Sequence, residues 1–154
     1  MSHVSGGRTS DGRFKVIGYA GNPPCLYPIA LIPLNDLKPH ESIIEERVRY
    51  LIEDLVKRGV LVRPILVDSR TLVILDGHHR VEALKRLGKR LIPGVLADYD
   101  NDACITVDSW REGLRVTKGE VRERGLKGYL YPPRTSRHKP HFEIPDVNVP
   151  LTEL

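Results

Sequence analysis

Five consecutive residues, Asp76-Gly77-His78-His79-Arg80, hold the densest chemistry in the chain. An apolar run, Thr71-Leu72-Val73-Ile74-Leu75, leads into them, and a stretch with Val81, Leu84 and Leu87 at helical spacing follows. The pattern predicts a strand that turns at Gly77 into a helix. Backbone N–H groups at a helix N-terminus lack intrahelical acceptors and draw anions. Two imidazoles and a guanidinium at the same point add donors, and a guanidinium grips phosphate oxygens in a two-pronged geometry that an ammonium cannot. An acid just before the glycine suits a site that also holds a divalent cation or orients a hydroxyl. The plainer alternatives are an N-capping Asp76, an Arg80 paired with a surface carboxylate, and histidines satisfied in the core. One of the two rings is expected to face away from the ligand.

The elements that must position this corner are short. Residues 64–68 read as a strand, Ser69-Arg70 as a tight turn, and residues 71–75 as the partner strand of a hairpin. Ser42-Ile43-Ile44-Glu45 has the capping-box pattern, and Val48, Leu51, Ile52, Leu55 and Val56 follow at helical spacing until Gly59. Residues 29–34 are the first strand candidate, whereas residues 16–27 read as irregular around a turn at 21–24. Residues 91–96 and 105–107 are further strands. A last short helix is expected over 119–124, stopped by Gly125. The proline-rich tail from Tyr129 carries Tyr131, Phe142, Ile144, Val147, Val149 and Leu151, too apolar for a solvated linker, so it should pack on the domain. Residues 1–15 read as a flexible leader and 16–154 as one α+β domain, with helices on a small mixed sheet.

Composition narrows the partners. The net charge of +4 is mild and spread along the chain, which fits an anionic ligand such as a nucleotide as easily as nucleic acid, and gives no dedicated nucleic-acid arm. Cys25 and Cys104 stand in unrelated contexts without zinc-ligand spacing. Buried free thiols are preferred here over a bridge. No apolar run has the length of a membrane span, and the N-terminus lacks a signal core, so a cytoplasmic protein without membrane partners is expected.

Gly77-His78-His79-Arg80, between a hairpin and a helix, resembles the phosphate-binding corner of the ParB/sulfiredoxin-like superfamily. Sulfiredoxins have a cysteine nucleophile where this chain has His78, so their chemistry is not implied. The His-His form is most similar to the free L-serine kinases, which make O-phosphoserine. Three other stretches share that resemblance: Lys38-Pro39-His40-Glu41, Trp110 after the 105–107 strand, and Arg134-Thr135-Ser136-Arg137-His138. The resemblance spans roughly residue 28 to the C-terminus. The longer kinases carry an insertion before the C-terminal motif, where this chain has only residues 112–130, which leaves the donor open, with ATP favoured and ADP the alternative.

The resemblance implies roles residue by residue. Glu41 is the general base toward the serine hydroxyl, against the plain reading of a solvated carboxylate near a helix start. Asp76 binds or orients Mg2+, or holds the hydroxyl together with Glu41. Gly77, His78, His79, Arg80, Thr135 and Ser136 hold the nucleotide phosphates. Trp110, Arg137 and His138 line the serine site, with Arg137 on the amino-acid carboxylate; core packing for Trp110 and a capped turn for residues 135–138 stay open. The partners implied are a nucleotide and free L-serine, on a monomer or small homo-oligomer. The rival is a ParB-like nucleotide-binding regulator or DNA-associated protein without kinase activity. A ParB-type DNA-binding bundle has no room in the tail, and no acid cluster points to a two-metal nuclease.

Overall fold

Strands with alternating inward residues build a sheet that buries both faces. A computed structural model gives the architecture, and residues 7–154 are described. The chain runs β1 (Lys15–Asn22), β2 (Cys25–Pro33), α1 (Glu45–Arg58), β3 (Val60–Leu61), β4 (Ile65–Asp68), β5 (Ile74–Asp76), α2 (His78–Arg86), β6 (Leu91–Ala97), β7 (Ile105–Ser109), α3 (Lys118–Lys127), β8 (Ser136–Pro140) and β9 (Val149–Pro150). The main sheet has the order β1-β2-β6-β4-β5. β4 and β6 are parallel and the other neighbours antiparallel, so the sheet is mixed, as expected.

Period-two alternation divides the core in two. Ile65 and Val67 of β4, with Ile74 and Ile92, pack under Val48 and Leu55 of α1 and Val81 and Leu84 of α2. Leu66, Val73, Leu75 and Val95 face the other way, against Tyr99, Ile105, Val121 of α3 and Tyr131. The tail does pack: β8 pairs with β7 and β9 with β3, and Val149, Leu151 and Leu154 are buried.

Several expectations change. Residues 16–27, read as irregular, are largely the β1–β2 hairpin, whose cross-strand hydrogen bonds no side-chain pattern announces. Residues 1–6 of the expected leader lie outside the described residues. Farther on, Thr9 N–H donates to the Phe14 carbonyl at 2.9 Å, Phe14 is buried, and β1 starts at Lys15. The capping box does not form: α1 begins at Glu45 with Ile44 as N-cap and no capping side chain. Gly125 does not stop α3; it lies within it, where an added Cβ would stand 2.6 Å from a Val73 methyl, and Gly128 is the left-handed cap. Cys25 and Cys104 are not free thiols but a disulfide with Cα atoms 5.6 Å apart. The β1–β2 turn brings Cys25 beside the 101–104 loop, a long-range proximity that neither local context encodes.

Candidate active site

The strand-to-helix corner forms as the residue pattern predicts. β5 ends at Asp76, Gly77 takes a φ of 115°, and α2 starts at His78. A Cβ at Gly77 would sit 2.3 Å from the Ile65 side chain, so both conformation and space require glycine. The amides of His78, His79 and Arg80 have no backbone acceptor among the described residues, because the ladder begins with Val81 N–H donating to the Gly77 carbonyl.

The side chains of the corner, by contrast, have protein partners. His78 is buried, and its Nε2 accepts the His40 N–H at 3.2 Å. Half-buried His79 accepts the Ile44 N–H on its Nε2 at 3.0 Å. Arg80 donates through Nη1 to the Arg63 and Pro64 carbonyls at 3.1 and 2.8 Å, and its Nη2 lies 3.3 Å from Asp76 Oδ2. These side chains, expected on phosphate, thus already have protein partners, whereas the three backbone amides have no backbone acceptor among the described residues. Asp76 remains exposed and does not cap α2 through its side chain.

The other half of the site is built around Glu41. Segment 40–44 runs beside the tail: Tyr131 N–H donates to the His40 carbonyl at 2.9 Å, and Ser42 N–H to the Tyr131 carbonyl at 2.8 Å. Arg134 has a φ of 58°, and the chain bends there so that three successive amides reach one carboxylate. Glu41 Oε1 accepts the N–H groups of Thr135 and Ser136 at 3.3 and 2.8 Å and the Ser136 hydroxyl at 2.8 Å. Among the described residues Oε2 accepts only the Arg134 N–H, at 3.2 Å, which leaves lone-pair capacity on that oxygen. Thr135 and Ser136, expected on phosphate, thus hold Glu41. The Thr135 hydroxyl donates to the Pro132 carbonyl at 2.6 Å, the capped turn that was the alternative.

Behind Glu41 lies a group of three histidines, His40 and His78 buried and His138 half-buried. His40 Nδ1 donates to the Ile74 carbonyl at 2.7 Å, and its Nε2 lies 2.8 Å from the Ser136 hydroxyl. Its ring packs edge-on against His78 and His138, with centroids 4.6 and 5.6 Å away. Burial pushes His40 down to about 4 and His138 to about 3, and holds His78 well below the ordinary histidine value. His138, expected on serine, is turned inward instead: Nε2 lies 2.7 Å from the Tyr99 hydroxyl, and buried Nδ1 has no hydrogen-bond partner among the described residues.

Trp110 is not core; 61 % of it is exposed. Its ring lies 4.7 Å from the Arg137 guanidinium, and its backbone N–H donates to the Thr135 carbonyl at 3.2 Å. Arg137, expected on the amino-acid carboxylate, is paired with both Asp108 oxygens at 2.7 and 2.8 Å. A cleft of about 660 Å³ beside β7, lined by Asp102, Thr106, Asp108, Arg115 and Lys118 among others, contains none of the expected site residues.

Two cations escaped the reading of the residues as site groups. Arg47 in the first turn of α1 and Arg134 both lie near enough to His79 to push its pKa down, after burial itself. Both are exposed, and neither side chain pairs with a carboxylate among the described residues. Arg47 had no local signal, since it is one basic residue in a charged helix start.

No protein-family model matches the chain. An ADP-dependent L-serine kinase of Thermococcus kodakarensis is 32 % identical over 97 residues, covering 60 % of this chain and 40 % of that protein. An ATP-dependent L-serine kinase of Staphylothermus marinus is 34 % identical over 105 residues, covering 63 % and 41 %. A ParB-like protein of Sulfolobus acidocaldarius is 38 % identical over 105 residues, covering 62 % and 52 %. The chain thus spans about half or less of the length of these curated relatives. A free serine kinase structure in complex with AMP superposes with a TM-score of 0.75 at 20 % identity, covering 82 % of this chain and 93 % of that one. The chain has the α+β fold of the free serine kinase structures, and its matching segments are similar in sequence to L-serine kinases and to a ParB-like protein.

Proposed function

We propose that this chain transfers a phosphoryl group from a nucleotide, ATP or ADP, to the hydroxyl of free L-serine, with Glu41 as general base. One observation supports the reading: a single carboxylate is held by the tail at residues 134–136, and backbone amides on either side of it are tied through His78 and His79 to an open helix N-terminus. Phosphoryl transfer needs that pairing of an anion cradle with an oriented proton acceptor. The L-serine kinases among the relatives support the acceptor, and their names divide between the two donors.

In this reading the amides of His78, His79 and Arg80 hold the nucleotide phosphates, with Arg47 and Arg134 supplying charge nearby. As the serine oxygen bonds to the terminal phosphorus, its O–H bond breaks, the proton goes to Glu41, and the bond from phosphorus to the leaving diphosphate or monophosphate oxygen breaks. Trp110, tied to the Thr135 carbonyl, walls the acceptor side. Asp76 fits magnesium as a single exposed carboxylate next to a phosphate cradle, since that ion commonly takes one or two carboxylates together with substrate phosphates. When bound, magnesium neutralises charge on the phosphate oxygens.

The test is incubation with magnesium, L-serine and either donor. O-phosphoserine formation is the expected result; its absence with both ATP and ADP overturns the proposal. The ParB-like relative favours one second reading, a nucleotide-binding regulator. Nucleotide binding without serine-dependent turnover would select that reading.

A further inference from the structure

The paired histidines do something that neither phosphate binding nor core packing describes. They are adjacent at the start of α2, and each directs Nε2 at a backbone amide of one short segment. His78 takes the N–H of His40 at 3.2 Å, and His79 takes the N–H of Ile44 at 3.0 Å. These amides bracket Glu41. An imidazole nitrogen that accepts an N–H carries no proton of its own, so both rings are neutral with the proton on Nδ1.

The Ile44 amide has a particular place in this scheme. Ile44 is the N-cap of α1, and in a capping box its N–H would be met by an acidic side chain three residues on. That residue here is Arg47, which has no acceptor to offer. The imidazole of His79, from another helix, supplies it. The start of α1 is thereby fastened to the start of α2, and the segment carrying Glu41 is held between them. Burial and the nearby Arg47 and Arg134 cations keep His79 deprotonated, the state this contact needs.

We propose that His79 is a positioning residue: by accepting the Ile44 N–H it sets the distance between Glu41 and phosphates held at the α2 N-terminus. This rests on the reading of Glu41 as the base.

The experiment compares His79→Ala and His79→Gln with the unaltered chain, using ADP binding by calorimetry, kcat for O-phosphoserine at saturating substrates, and hydrogen exchange at the Ile44 amide. His79→Ala should leave ADP affinity roughly unchanged, speed exchange at Ile44, and cut kcat by about 10²-fold, the scale of a misplacement near 1 Å. His79→Gln, whose side-chain oxygen can accept the same N–H, should recover much of the kcat and the Ile44 protection. Weaker ADP binding by His79→Ala with unchanged kcat at saturation would make His79 a ligand and overturn the proposal. The exchange readout is independent of turnover. If the unaltered chain makes no O-phosphoserine, the kinase reading fails, while unchanged Ile44 exchange in His79→Ala would by itself refute the fastening.

Discussion

Ser136 reaches Oε1 of Glu41 twice, through its backbone N–H and through its hydroxyl, each at 2.8 Å. The same hydroxyl lies 2.8 Å from Nε2 of His40. His40 donates from Nδ1 to the Ile74 carbonyl, so its Nε2 is an acceptor, and Ser136 has one proton for two acceptors. The hydroxyl is therefore a switchable donor between the carboxylate and the buried imidazole.

Ser136→Ala removes that donor and leaves His40 Nε2 buried without a partner. The expected cost is about 1–3 kcal/mol of unfolding free energy, the usual range for a buried polar atom stripped of its hydrogen bond. Glu41 keeps its three backbone donors, so activity should fall far less than in Glu41→Gln, where loss of the base costs roughly 10²–10⁴ in rate. Urea melts and O-phosphoserine assays check both. Equal rates for Glu41→Gln and the unaltered chain would remove Glu41 as base.

Acid should destabilise the protein early. Three histidines, His40 and His78 buried and His138 half-buried, have folded pKa values below the unfolded value near 6.5: His40 at about 4, His138 at about 3, and His78 well below it. Above that unfolded value both states are neutral and the full stability is present. As pH falls below it, the unfolded chain binds protons that the folded chain refuses, so stability drops until the folded pKa values are reached. Each histidine contributes a slope approaching about 1.4 kcal/mol per pH unit, or about 4 for the three together. Denaturation midpoints at pH 7, 6 and 5 should fall in that order; superimposable curves at pH 7 and 5 would show that these rings are not held neutral.

How much of this was legible depended on whether a residue's partner was local. Val48 and Leu55, or Val81 and Leu84, announce their helices because helical spacing is local. Gly77 is legible because a strand must become a helix within one residue there. The amides that the His78 and His79 rings accept lie 38 and 35 positions away and leave no trace beside them in the sequence. Ser42 and Glu45 spell a capping box, yet pairing with Tyr131 draws segment 40–44 out straight and His79 takes the cap amide. Glu41 was one acid among many, singled out only by resemblance, and Arg47 by nothing at all.

Arg47 should matter to nucleotide affinity. It stands near His79 at the open end of α2 with no carboxylate partner among the described residues. Losing one charge-assisted phosphate contact costs about 1.5–3 kcal/mol, so Arg47→Ala should weaken ADP binding by roughly tenfold or more. Exposed charges are screened by salt, so the gap between variant and parent should narrow as ionic strength rises. Calorimetric titration at two salt concentrations checks this. An unchanged Kd would move the phosphates away from Arg47.

The Cys25–Cys104 bridge closes a loop with a sequence separation of 79. Removing it frees the unfolded chain, and the loop-entropy relation puts the loss at roughly 4.5 kcal/mol. Both residues are buried in the core layer with Tyr99 and Ile105, so a reductant must wait for local opening. Reduction should therefore be slow in buffer and fast in urea, and the reduced protein should unfold at markedly lower denaturant. The bridge fastens the β1–β2 turn to the loop before β7, whereas the hydrogen bonds of Glu41 run to residues 134–136. Turnover by reduced but still folded protein should consequently stay close to that of the oxidised form. Coincident urea melts of the two forms would show that the bridge adds no stability, and a large loss of turnover in folded, reduced protein would show that it reaches the active site through β7 and β8.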